Sequence, residues 1–179
     1  MKYIFVLFIF LTVAGCSGEK VKPVVNSTLQ VAKLPEYEGW DETVFFSDSG
    51  RTKAILYYNH LRKYDQPPET LLDTIKVRFF NDRGTQTSVL TALKGRVNDL
   101  TDDLYAIDSV VAVSDSGVTL RTQELMWRNK DRKIVSDKFV TIISPKEKIQ
   151  GYGFESDQSL SNYVINNITY VTRLDTTKN

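Results

Sequence analysis

The chain has 179 residues, 23 Lys and Arg against 22 Asp and Glu, 41% hydrophobic residues, one cysteine and one histidine. So even a charge balance argues against nucleic-acid binding, which usually shows a basic excess or stripe. One cysteine excludes an internal disulfide, and His60 alone excludes a multi-histidine metal centre.

Residues 1–15 read as a signal peptide, with Lys2 ahead of an apolar run from Tyr3 to Leu11. That run is short against the ~20 apolar residues of a bilayer span. The ending Val13-Ala14-Gly15-Cys16 resembles a bacterial lipobox, which makes Cys16 the expected lipidation site; the bland alternative is a buried cysteine behind an uncleaved leader. Loss of Lys2 with the leader leaves 22 cationic and 22 acidic side chains in the mature chain. Residues 16–39 contain two prolines and no sustained period, and read as a lipidated tether. Residues 40–179 suit a single domain.

From Trp40 onward the chain alternates strand patterns with two classes of turn. One class recurs in "VFFSDSGRT", "RFFNDRGTQ" and "VAVSDSGVT", where Ser47, Asn81 and Ser114 stand 34 and 33 residues apart. Ser144 begins a looser fourth copy, 30 residues later. Asp or Asn can bond its own backbone there and Gly can take positive φ, which closes a hairpin. Between these copies lie "KYDQPPE", "VNDLTDD" and "RNKDRK", so each repeat holds two strands and two turns. The pattern predicts about nine strands, near 42–47, 51–59, 73–81, 85–96, 104–114, 118–128, 133–143, 148–155 and 163–173, with no helix of useful length. Val118, Leu120 and Thr122 share one parity while Leu125 and Trp127 share the other, which predicts a bulge near Gln123 and Glu124. A similar slip between Ile134 and Phe139 predicts another near Ser136 and Asp137. Strands bent in mid-course suit a twisted, V-shaped antiparallel sandwich.

Residues 117–165 carry Gly-x-x-Leu-x-Thr-x-x-Leu-x-Trp from Gly117, Ile-x-Ser-Asp from Ile134, and Ile149-x-Gly151-x-Gly153-Phe154. In this order and spacing they resemble the LptC family of lipopolysaccharide export proteins. The resemblance implies a periplasmic β-jellyroll that takes lipopolysaccharide from LptF and LptG, powered by LptB, and passes it to an LptA-like protein. It implies lipid A acyl chains carried between open sheet edges, and neighbouring jellyrolls joined edge to edge. Many members of that family are held by a transmembrane helix, whereas here lipid on Cys16 is the expected anchor. The periplasmic face of the inner membrane is the expected site, although Ser17 in place of aspartate leaves the outer membrane open.

The candidate lipid contacts are Val111, Val113, Val118, Leu120, Leu125, Trp127, Ile134, Phe139, Ile142 and Phe154; their competing reading is plain core. Gly151 and Gly153 are expected at a bend or close strand approach. The last strand, "NYVINNITYVTRL", is either a docking edge or an internal strand. No catalytic constellation, metal site or cofactor motif stands out: Asp99, Asp102 and Asp103 lack a familiar calcium-ligand spacing and read as a solvated turn. Two other functions remain open, a passive scaffold and a glycan- or protein-binding lipoprotein with Tyr57, Tyr58 and Tyr64 as its platform.

Overall fold

A computed structural model describes residues 34–173. Cys16, the signal peptide and most of the tether lie outside the described residues. The strands are β1 (Tyr37–Trp40), β2 (Thr43–Asp48), β3 (Arg51–Tyr64), β4 (Glu69–Phe80), β5 (Gln86–Asn98), β6 (Asp103–Ser114), β7 (Thr119–Arg128), β8 (Lys133–Ser136), β9 (Val140–Ile143), β10 (Glu147–Ser156) and β11 (Tyr163–Arg173). All pair antiparallel in one sheet, in the order β1-β3-β4-β5-β6-β7-β8-β10-β11, with β2 also on β3 and β9 also between β7 and β10.

The recurring turns line up at one end of the sheet, as a meander with a two-strand period requires. Ser49 and Gly50 both take positive φ, the geometry of a tight hairpin that follows strand twist. In the next copy Asn81 Oδ1 accepts from the amides of Arg83 and Thr85, and Gly84 takes φ +75°. In the third, Ser114 Oγ accepts from the Val118 amide at 3.1 Å; in the fourth, Ser144 Oγ accepts from the Glu147 amide at the same distance. Lys53 and Asp82 form an ion pair between the first two turns.

The continuous strand expected over 133–143 is divided. β8 and β9 keep one parity, with Ile134, Ser136, Val140 and Ile142 all buried. Asp137–Phe139 is a connection between them, so the chain steps sideways there and no parity slip arises. At the other extreme, β1 occupies residues that read as tether. It is fixed to β3 by ladder pairs from Tyr37↔Lys63 to Trp40↔His60, and the Trp40 ring stacks on His60 at 5.1 Å.

The sheet is creased across its middle. Inward-facing positions step by three residues instead of two at Tyr58 to Leu61, Leu72 to Ile75, Ala92 to Gly95, Thr122 to Leu125 and Gly151 to Phe154. The third of these changes lies in β5, the fourth at the predicted Gln123–Glu124 position. In β6 the same job falls to Asp108 and Ser109, both at positive φ and both skipped in the pairing with β7. Thr74 (φ 51°) and Gly153 (φ 73°) mark the crease in β4 and β10. The half bearing the recurring turns therefore folds onto the other half, and the core lies between them.

A sealed apolar interior and an open strand edge

Alternation along a strand sends neighbouring side chains to opposite faces, and the crease then brings the two inner faces together. From the turn-bearing half come Leu56, Val77, Phe79, Leu90, Leu120 and Ile142, all buried. From the other half come Leu72, Leu104, Leu125, Trp127, Ile134 and Phe154, equally buried. Trp127 joins the halves, meeting Phe46 edge-on at 5.3 Å and Phe79 at 5.8 Å between ring centroids. Edge-to-face geometry suits the ring quadrupoles and locks the indole in place. Polar links close the rims: Arg132 pairs with Asp48, and Ser88 Oγ donates to the Gln158 carbonyl.

The candidate residues separate by face. Leu120, Leu125, Trp127, Ile134, Ile142 and Phe154 share the interior, and Leu120 pairs with Ile142 while Trp127 pairs with Ile134 across neighbouring strands. Val118 is half-buried against them. Val111 and Val113 flank the buried Ala112, so they point outward, and Val113 is 42% exposed. Phe139 is 41% exposed and meets Tyr152 edge-on at 5.2 Å on the outside. The candidates all lie beyond residue 110, yet β3 to β5 line the same interior through Leu56, Leu72, Val77, Phe79 and Leu90, and the alternation of β3 and β4 is plain in "KAILYY" and "IKVRFF".

Gly151 is buried where β10 and β11 approach closely, with its Cβ position 2.3 Å from the Asn167 carbonyl oxygen. Gly153 serves a different need, its φ of +73° in the crease. Among the described residues β11 pairs only with β10, and no strand lies along its other edge. Its inward-facing Ile168 and Val171 are 55% and 51% exposed, so the interior's apolar surface continues to the lip of the fold. Leu160, at φ 56° in the β10–β11 turn, is buried at the end of the core. Asp157 holds that turn by accepting from the Ser159 and Ser161 amides, the Ser159 hydroxyl and the Asn162 amide group. Burial raises the Asp157 pKa, but these donors outweigh it and hold the carboxyl below its ordinary range.

Two interior polar groups, Trp127 Nε1 and Ser156 Oγ, have no hydrogen-bond partner among the described residues. Register places both on the row that runs through Ile134. Near the crease, Glu42 accepts from Tyr58 at 2.7 Å and Tyr37 at 2.9 Å, and these bonds lower its pKa. Burial, followed by the Glu42 hydrogen bond, raises that of Tyr58. The three tyrosines of the glycan platform do not share a face, since Tyr57 and Tyr58 are strand neighbours and Tyr58 is buried. Asp99 and Asp103 are engaged within the fold, accepting from Thr70 Oγ1 and the Asn129 amide.

A single creased antiparallel sheet with an apolar interior, whose last strand is unpaired on its outer side among the described residues, defines an open-edged β-jellyroll. The family model for lipopolysaccharide-assembly, LptC-related proteins matches residues 7–169, and the chain belongs to the LptC family. It is accordingly a component of lipopolysaccharide transport, with lipopolysaccharide and the Lpt complex as its partners in general terms. A comparison with curated proteins finds no match to the chain.

Proposed function

We propose that the two halves of the creased sheet part to hold lipopolysaccharide acyl chains, received from LptF and LptG and passed to an LptA-like jellyroll. The carrying observation is the continuity of the apolar inner face, from Leu120 and Ile142 to the exposed Ile168 and Val171 beside the free β11 edge. Each buried methylene contributes about 0.8 kcal/mol, so ten of them supply roughly 8 kcal/mol toward separating the halves. The lone donor of Trp127 and the Ser156 hydroxyl suit the ester and amide carbonyls at the head of such chains. β11 carries the transfer to the next jellyroll, because an unpaired edge accepts another protein's strand through main-chain hydrogen bonds. Lipid on Cys16 anchors the domain at the periplasmic face of the inner membrane. In this scheme the protein is a carrier and performs no bond-making step.

The test is a photo-crosslinking residue at position 120 in cells, with position 113 as the outward control. Lipopolysaccharide captured at 120 in proportion to transporter ATP use, and absent at 113, is the expected result. No capture at 120 or 127 in a folded, membrane-anchored protein defeats the carrier reading and leaves a closed scaffold.

A further inference from the structure

The outer face of the turn-bearing half differs in charge from the outer face of the other half. Across β4 to β10, its outward positions in this half carry Lys76, Arg78, Arg121 and Lys148 and no Asp or Glu. Among the described residues none of these four cations forms a salt bridge; Arg78 donates to Gln86 and lies over the Phe80 ring. Between them stand Val89, Val111, Val113 and Ile143, half-buried or exposed. The other half's outer face carries both signs: Arg62 pairs with Asp73, Arg128 with Asp131, and Lys133 with Glu155, while Lys94 and Arg96 form no salt bridge among the described residues and Arg96 lies over the Tyr105 ring. What sets the turn-bearing face apart is the absence of acids among these outward strand positions, in a chain with nearly equal numbers of acids and bases.

We infer that this face rests on an anionic lipid bilayer surface. A sheet face that carries cations and no acids at its outward strand positions, and is set with short β-branched side chains, complements a plane of lipid phosphates. Each cation near such a surface favours contact about fivefold. Of the acids around this face, Asp82 is paired to Lys53 and Glu42 is bonded to Tyr37 and Tyr58, while Asp41 and Asp115 lie at its margins, in the β1–β2 and β6–β7 connections. On the lipid-anchor reading of Cys16, some 20 residues lead to β1, and a chain of that length spans at most about 70 Å. The tether then keeps the face within reach of the bilayer. Contact through this face turns the free β11 edge sideways along the membrane, where a neighbouring jellyroll can meet it.

The test places the fluorescent amino acid dansylalanine at position 113, or at 135 on the other outer face, in the full chain incorporated into vesicles. Vesicles of phosphatidylethanolamine with phosphatidylglycerol are compared with phosphatidylcholine vesicles, each containing brominated lipid as quencher. Quenching at 113 but not at 135, only with phosphatidylglycerol, is expected. It disappears at about 1 M salt, where the screening length falls to ~3 Å. The quadruple variant K76Q/R78Q/R121Q/K148Q, shown to fold by circular dichroism, weakens the contact several-hundredfold, about fivefold for each cation. Quenching that ignores the four cations, or is equal at 113 and 135, overturns the inference. So does a probe at 113 that stays in water on anionic vesicles, an outcome that points to an acidic protein as the occupant. None of these readouts depends on whether lipopolysaccharide is carried inside.

Discussion

Gly151→Ala tests the attachment of the free edge. Gly151 faces Ile168 beside the register shift at Gln150/Gly151, where Thr169 is left out of the pairing. An added Cβ meets the Asn167 carbonyl oxygen at 2.3 Å and Ile165 Cγ2 at 2.8 Å. Carbon and oxygen in contact normally stand about 3.3 Å apart, so β11 backbone must withdraw by about 1 Å. Overpacking of this kind costs about 1–3 kcal/mol, and each ladder hydrogen bond lost adds about 1 kcal/mol. Since β11 is exposed along most of its length, it has little packing with which to resist. The expected loss is about 3 kcal/mol by urea denaturation, with amide exchange accelerated along β11 before the rest of the sheet. Gly153→Ala is the comparison, because its obstacle is the movable Asn166 side chain at 3.0 Å and its cost is chiefly the positive φ, about 1 kcal/mol. A Gly151→Ala loss below about 0.5 kcal/mol, or no greater than that of Gly153→Ala, refutes the close-approach argument.

Thr74→Asn relieves a β-branched residue held at φ 51° on the exposed crease, and urea midpoints should show a gain of about 0.5–1 kcal/mol; a loss means that the Thr side chain has a use there. Leu120→Ala removes a fully buried side chain and costs about 2–5 kcal/mol, whereas Val113→Ala stays within about 0.5 kcal/mol; equal effects in thermal melts contradict the assignment of faces. Because the folded-state pKa of Asp157 is lowered, its stabilising effect is complete above the unfolded carboxyl value near 3.9 and is lost as pH falls through the folded value. Melting temperature should therefore fall on acidification below about pH 4, and Asp157→Asn should flatten that fall; an unchanged profile places the acid sensitivity elsewhere.

The expected strand at 133–143 and the observed β8 and β9 illustrate how far pattern carries. Their alternation is correct at Ile134, Ser136 and Ile142, but Phe139 belongs to the connection, and an apolar residue in a short link has no parity to obey. β1 was hidden for a related reason. "YEGW" has only Gly39 buried, and it is a strand because β3 offers it a ladder and His60 offers Trp40 a stacking partner.

Local pattern was enough for an all-β chain, a period of two strands, turns at Ser49-Gly50, Gly84 and Gly117, and the three-residue step in β7. These follow from backbone φ preferences and from side chains alternating along a strand, interactions that span a few residues. Tertiary structure alone decided which side of each strand is the inside. Phe46 reaches Trp127, and Asp48 reaches Arg132, only because the crease folds one half of the sheet onto the other. That contact separates Leu120 from Val113, residues of similar chemistry on opposite faces, and it leaves β11 as the last strand of the sheet among the described residues. Alternation marks two faces but gives neither a partner; burial does, and burial depends on residues more than 80 positions apart.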